Sequence, residues 1–476
     1  MEYEAVIGLE VHAQLKTESK IFCSCPTSFG AKQNQNTCEV CLGMPGALPV
    51  LNKSAVELAI KLGIALDCAI QERSIWDRKN YFYPDLPKGY QISQFSHPIC
   101  LGGQVPIKTE TESKFIPLTR IHMEEDAGKL IHDEGEGSLV DLNRAGTPLC
   151  EIVSEPALRT PEEAGAYLRS LRSIVRYADV CDGNMEQGSL RCDANVSIKP
   201  VGSKTLGTKV EIKNLNSVKF IEKAIAYEIE RQKAALLEGQ EIVQETRLYD
   251  SNKGVTVSMR SKEDSHDYRY FPDPDLVPLN ISQDWITRCK NELPELPQAR
   301  STRFQNELQL SKESAEVLIA DKDLADFFEE TVKLGADASK ASNWIMTELM
   351  RELNDAEQDL NASGFTPTQL ADLLKLVDSA VISGKIAKDV FKIMFREGGS
   401  AEEIVEQKGL KQVSDTSVIQ NTIAEIIKAH PEQVQEFKEG KTKVMGFFVG
   451  QIMKKMQGKA NPQIVNELLK KMLESA

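Results

Sequence analysis

The chain has 476 residues, too many for a single hydrophobic core, and a composition of 41% hydrophobic and 27% charged residues that suits a globular protein of several domains. Its net charge of -14 excludes a broadly basic nucleic-acid binder. No run approaches the roughly 18 apolar residues of a membrane span, and the opening MEYEAVIGLE has no basic segment leading into an apolar one, so the expectation is a cytoplasmic protein whose ten cysteines are reduced thiols or metal ligands.

The first predicted element is a strand over Ala5–Leu15. Ile7, Leu9, Val11, Ala13 and Leu15 share one face, and Gly8, Glu10, His12 and Gln14 share the other. Next come Cys23 with Cys25 and Cys38 with Cys41, joined by the turn-prone stretch Pro26–Thr37. Two close thiol pairs on such a loop match a tetrahedral, closed and therefore structural zinc site, although the first pair is C-x-C rather than C-x-x-C.

Thr160, Pro161 and Glu163 read as a capping box opening a helix whose apolar side runs through Ala164, Tyr167, Leu168, Leu171, Ile174, Val175 and Ala178. Strands follow at Ser189–Ile198 and Thr208–Asn214, each with one polar face, and a helix over Ser217–Leu237 stops at Gly239. Strands and helices without strict βαβ order predict an α+β fold with a largely antiparallel sheet. The Pro-bracketed LPELP at 293–297 marks a boundary, beyond which the pattern is helical, and Gly398, Gly399 and Ser400 mark a second. The expected domains are 1–292, containing the cysteine knuckle at 23–41, then an all-α domain at 293–400 and an α-helical tail at 401–476.

Acids gather on the polar strand faces. Glu10 and His12, two residues apart, project from one side at a spacing of about 7 Å. Glu124, Glu125 and Asp126 follow His122, Glu151 lies in PLCEIV, and Glu186, Asp193 and Asn195 surround Arg191. If these faces converge, many carboxylates and a histidine suit Mg2+ with retained waters better than zinc, and such a Mg2+ commonly bridges phosphates. No Walker loop, kinase motif set or Rossmann fingerprint is present, so a nucleotide site here needs another design. Candidate phosphate contacts are Arg78, Lys79, Arg191, Lys213, Arg260 and Arg269. Near the C-terminus, Lys441, Lys443, Lys454, Lys455, Lys459, Lys470 and Lys471 face only Glu467 and Glu474, a basic tail on an acidic body.

Long runs of these residues resemble the GatB/GatE family. They are GLEVH (8–12), DRKNYFYPD (77–85), GYQISQ (89–94), HMEEDAG (122–128), DLNRAGTP (141–148), EIVSEP (151–156), GSLRCDAN (188–195), EIKNLNS (211–217) and DYRYFP (267–272). GFFVGQIM (446–453) and ANP (460–462) resemble the family's tail, related to YqeY proteins. The resemblance covers essentially the whole chain. It implies a cradle-shaped kinase-like domain, a helical domain and the tail, in a heterotrimer with an amidase subunit (GatA) and a small linking subunit (GatC). It also implies a glutamine-hydrolysing carbon–nitrogen ligase that takes misacylated Glu-tRNA(Gln), Asp-tRNA(Asn) or both. ATP phosphorylates the side-chain carboxylate, and ammonia from the amidase subunit displaces the phosphate.

Carried over, the resemblance puts Glu10, His12, Glu125 and Glu151 in the Mg2+ shell as catalytic residues, with Glu124 as a second choice. Lys79, Tyr81, Tyr83, Arg191, Asp193, Asn195, Lys213, Asn214 and Asn216 line the nucleotide and acceptor end. Cys23, Cys25, Cys38 and Cys41 hold zinc, which is a variable feature of the family, and Lys441, Lys443, Lys454 and Lys455 contact tRNA through phosphates. No Ser or Cys sits in a recognisable amidase setting, which assigns ammonia production to the partner. A non-catalytic RNA-binding scaffold is the competing reading, and it leaves the acidic strand faces unexplained. A hydrolytic metalloenzyme lacks a ligand motif such as H-E-x-x-H.

Overall fold

The structure, a computed structural model, describes residues 2–131, 137–259, 268–412, 416–439, 441, 444–456 and 459–475. The chain forms two compact units, Met1–Pro297 and Gln298–Ala476. The main elements of the first are β1 (Tyr3–Gln14), α1 (Lys53–Ala65), β2 (Asp77–Asn80), β3 (Tyr90–Ser93), β4 (Ser113–Glu125), β5 (Pro148–Ser154), α2 (Pro161–Tyr177), β6 (Leu190–Pro200), β7 (Val210–Lys213), α3 (Val218–Leu237), β8 (Thr246–Asp250) and β9 (Val255–Ser258).

β1 is central in a ten-stranded sheet that runs β9-β8-β7-β6-β1-β5-β4 and continues through the short strands Cys100–Leu101 and Ala69–Ile70, with Gln104–Lys108 added alongside β4. Every pairing is antiparallel except β7 with β8. The fold is therefore α+β with an antiparallel-dominated sheet, as expected. Alternation along β1 and β6 sends Ile7, Leu9, Val11, Cys192, Ala194 and Val196 into one core with Leu168, Leu171 and Val175 of α2 and Ile221, Ala224 and Ile225 of α3. The opposite face stays open to polar groups. β2 and β3 form a separate small sheet with Phe271–Pro272.

The start of α2 departs from the expected reciprocal cap. Thr160 Oγ1 accepts from the Glu163 N–H at 3.2 Å, but the Glu163 carboxylate takes the Arg159 N–H at 2.7 Å and the Lys114 ammonium at 2.6 Å. One carboxylate oxygen caps the N–H one residue before Thr160 and the other takes the lysine from β4, so only half of the box forms.

The second unit is built of helices. Phe391, fully buried on Gly384–Glu397, meets Phe365 at 5.0 Å and Trp344 at 5.9 Å between ring centroids. Phe391→Ala should cost about 3–5 kcal/mol in the unfolding of this unit, read as a lowered urea midpoint at unchanged slope. A midpoint within experimental scatter of wild type would refute this packing account. The helix Ala401–Gln407 buries Ala401, Ile404 and Val405 while packing on Pro367–Asp378 and Gly384–Glu397. We propose on that basis that the tail domain begins beyond Gln412 rather than at 401. The tail helices Thr416–Ala429, Val444–Lys455 and Pro462–Ser475 enclose Ile419, Ile423, Phe448, Ile452, Val465, Leu469 and Leu473. Among the described residues no helix is long and apolar enough to cross a membrane.

Candidate functional site

Strand register assembles the open face of the sheet. His12 on β1 stands opposite Arg191 on β6 and Glu151 on β5, and Glu151 stands opposite His122 on β4. One step along, Glu10 faces Asp193, and Gly8 faces Asn195. These residues are far apart in sequence, and antiparallel pairing makes them neighbours.

The centre is a triad. Ligand atoms of His12, Glu124 and Glu151 all lie within 4.8 Å of one another. His12 Nε2 is 3.2 Å from Glu151 Oε2, and His122 Nε2 is 3.1 Å from Glu124 Oε1 and 3.7 Å from Glu151 Oε2. Glu124 also accepts from Ser93 Oγ at 2.6 Å and Gln91 Nε2 at 3.0 Å, so β3 fixes its orientation. Burial works against the charge of Glu151, but His122 and His12 outweigh it and hold the carboxyl well below the usual range. Burial likewise opposes a charged His12, and its bond to Glu151 wins, so the imidazole is more basic than usual. The Lys79 ammonium lies 5.1 Å from the Tyr268 ring centroid and 5.9 Å from that of Tyr81, and the fields of Glu124 and Glu151 keep it charged against burial.

The other expected residues spread outward. Glu10 accepts from Asn195 Nδ2 at 2.9 Å and lies outside the triad; burial, then Glu151, raises its pKa. Asp193 is 3.7 Å from Lys213 Nζ, which also reaches Glu211 at 3.2 Å. Asn214 takes a positive φ of 68° and donates to the Tyr249 carbonyl, and Asn216 donates to Asn214. Tyr81 Oη donates to Gln91 at 3.2 Å, and Tyr83 is partly exposed. Glu125 points away from the triad: its carboxylate takes the Lys88 ammonium and the Ile92 N–H. Period-two alternation on β4 puts His122 and Glu124 on one face and Glu125 on the other.

In the sequence His122 and Asp126 stand in the acidic HMEEDAG run and Gln91 and Ser93 in GYQISQ, with no site role assigned to any of the four. His122 is within reach, two positions before Glu124 on an alternating strand, and Asp126 directly follows that strand; Gln91 and Ser93 belong to a distant one. Asp126 takes Arg191 and Gln14, each at 2.7 Å, and sits 3.7 Å from Arg144. Burial opposes its charge, and Arg191 with Arg144 outweighs it, so the carboxyl lies below its ordinary value. That stabilisation is complete above the unfolded pKa near 4 and fades as pH falls through the lower folded value. Arg191→Leu should therefore cost about 2–3 kcal/mol at pH 7, less than a fully buried pair because part of the guanidinium meets solvent. The deficit should shrink below pH 4 in denaturant titrations, and a deficit independent of pH would refute the pairing.

The four cysteines form a second cluster, with one sulfur of each within 4.8 Å of the others. The neighbouring Cys41 sulfur and then burial raise the Cys23 thiol, while Cys23 lowers Cys41, whose sulfur accepts the Cys38 N–H at 3.2 Å. Such a set of sulfurs can hold a metal. In the tail, Lys441 pairs with Glu436 at 3.0 Å, Lys455 pairs with Glu425 and Lys454 is exposed. Lys443 lies outside the described residues, as does Arg260.

Two family models match the chain: the GatB/GatE catalytic domain over residues 5–287 and the GatB domain over 326–473. Three similar curated proteins are each named as the B subunit of an aspartyl/glutamyl-tRNA(Asn/Gln) amidotransferase. The one from Trichlorobacter lovleyi is 59% identical over 99% of this chain and all of its own length. Those from Geobacter sulfurreducens and Thermodesulfovibrio yellowstonii are 58% and 55% identical, each over the full length of both chains.

Proposed function

The chain belongs to the GatB/GatE family, and from that premise we propose that it is the B subunit of a tRNA-dependent amidotransferase acting in the cytoplasm. Its task is ATP-dependent phosphorylation of the side-chain carboxylate of Glu-tRNA(Gln), Asp-tRNA(Asn) or both. Amide formation follows, with ammonia supplied by the amidase partner GatA in a heterotrimer completed by GatC. The observation that carries the reading is the His12–Glu124–Glu151 triad on the open sheet face, with the Lys79 ammonium beside it.

The donor set fits Mg2+. Two carboxylates and one imidazole bind a hard cation weakly enough to leave positions for water and phosphate oxygens. When bound, the ion offsets charge building on the transferring phosphoryl group. The chain's own groups do the rest. Lys79 supplies a fixed positive charge for phosphate oxygens, and Arg191, clamped by Asp126, presents a second that does not swing away. Ser93 and Gln91 keep Glu124 aimed, so little reorganisation is needed during transfer. A carboxylate resists attack by ammonia, and its acyl phosphate supplies the leaving group. Zinc in the four-cysteine cluster completes the cofactor set as a structural metal.

The test uses the reconstituted three-subunit complex without glutamine. Phosphate release from ATP should rise with Glu-tRNA(Gln), Asp-tRNA(Asn) or both, and not with correctly acylated tRNA. Binding without ATP turnover would instead make the chain an RNA-holding scaffold. The tail lysines supply a separate expectation. Replacing Lys454 and Lys455 with Ala should weaken tRNA binding and reduce the salt slope by roughly 0.7–0.9 for each phosphate no longer neutralised. An unchanged slope would remove the tail from the tRNA interface.

A further inference from the structure

The strongest feature outside the triad is a buried lysine beside the cysteine cluster. Lys20 is fully buried, and its ammonium lies 2.7 Å from the Asn36 carbonyl, 3.3 Å from the Leu142 carbonyl and 3.6 Å from Cys41 Sγ. An ammonium carries three donors, and here they have three acceptors: two backbone oxygens and a sulfur. A buried charge without a counter-charge is costly, and among these acceptors only the sulfur can become an anion.

We propose that Lys20 is the charge-compensating residue of the metal knuckle. Four thiolates around a divalent cation leave a net charge of two minus, and Lys20 neutralises part of it by an N–H···S bond to Cys41. This rests on the reading of Cys23, Cys25, Cys38 and Cys41 as a metal site. The other two Lys20 donors give the residue a second effect. Asn36 belongs to the knuckle loop and Leu142 to the segment 141–144 that leads into a turn closed by the Ala145 N–H on the Leu142 carbonyl, and Lys20 binds both. The same two segments are joined by Asn36 N–H to Asn143 Oδ1 at 2.8 Å and Asn34 N–H to Asp141 Oδ1 at 3.1 Å. Arg144, in the same segment as Leu142, donates to the Ala127 and Gly128 carbonyls and lies near Asp126, which holds Arg191. A continuous polar path thus runs from the cysteine cluster through Lys20 to the edge of the triad site, and Lys20 is a positioning residue at its origin.

The experiment is a chelator challenge on the full chain. Wild type, Lys20→Met, Lys20→Gln and Lys20→Arg are purified with zinc, and metal release to a chromogenic chelator is timed at neutral pH. Removing an outer-shell partner of a metal ligand costs about 10–100-fold in affinity, so both neutral variants should release zinc at least about tenfold faster. Lys20→Arg, which keeps the charge, should fall between them and wild type. Lys20→Gln keeps N–H donors without the charge, so it serves where Met at this site costs the fold. Hydrogen exchange at residues 139–147 should rise in the neutral variants even when zinc is saturating. A wild type that retains one zinc while the soluble neutral variants release it at the same rate overturns the assignment of Lys20. A wild type that binds no zinc overturns the metal site itself, a separate result.

Discussion

Glu151→Gln is expected to lower ATP-dependent phosphate transfer to misacylated tRNA by about 10²–10³-fold, while glutamine hydrolysis by the partner continues. Glu151 is the triad member that both imidazoles approach, 3.2 Å from His12 Nε2 and 3.7 Å from the nearby His122 Nε2. The amide keeps the volume and a carbonyl acceptor, so the sheet should fold. It loses the negative charge that draws a divalent cation and keeps the His12 imidazole more basic than usual. The measurement is phosphate release by the three-subunit complex over a range of Mg2+ concentrations. The loss should be partly relieved at high Mg2+ if the defect is binding of the ion. Glu124→Gln should behave alike, whereas Glu125→Gln should leave the Mg2+ dependence near wild type, because its carboxylate engages Lys88 and Ile92 instead. A Glu125→Gln variant with the same Mg2+ defect as Glu151→Gln would return Glu125 to the metal shell, as expected from sequence, and a normal Glu151→Gln variant would overturn the triad.

That contrast marks how far the sequence reaches. Alternation identified the polar faces of β1 and β6, because period two is a local property of the backbone. The same rule separates Glu124 from Glu125, provided that His122 is used to fix the phase of β4. What no local rule supplies is register between strands. His12 meets Glu151 only because β1 pairs with β5, and one residue of slip would turn Glu151 toward the core. Lys88, Asp126 and Lys20 act through partners on other elements, so their roles depend on tertiary packing alone. The half-formed cap at Thr160 is partly of this kind: one Glu163 oxygen takes the nearby Arg159 N–H, but the other takes Lys114, which no local pattern includes.

Removing the knuckle's metal should produce the largest structural effect. Residues 19–50 contain no helix or paired strand beyond an isolated bridge between Ser19 and Pro26, and Phe29, Met44, Leu48 and Val50 are exposed. Such a segment buries too little apolar surface to offset its own conformational entropy, so cross-linking by a metal would supply the missing free energy. Cys41→Ser should abolish zinc retention and lower Tm by about 5 °C, corresponding to a loss of roughly 3 kcal/mol in a unit of this size. Exchange protection should fall first over residues 20–50 and then over Asp141–Thr147, which the knuckle loop braces through Asn34 and Asn36. The helices of Gln298–Ala476 have their own buried core and should keep their protection. Chelator-treated wild type should reproduce the variant's exchange pattern, and zinc should restore wild type but not Cys41→Ser. Equal Tm and exchange in metal-free and zinc-loaded wild type would leave the four cysteines as packed thiols.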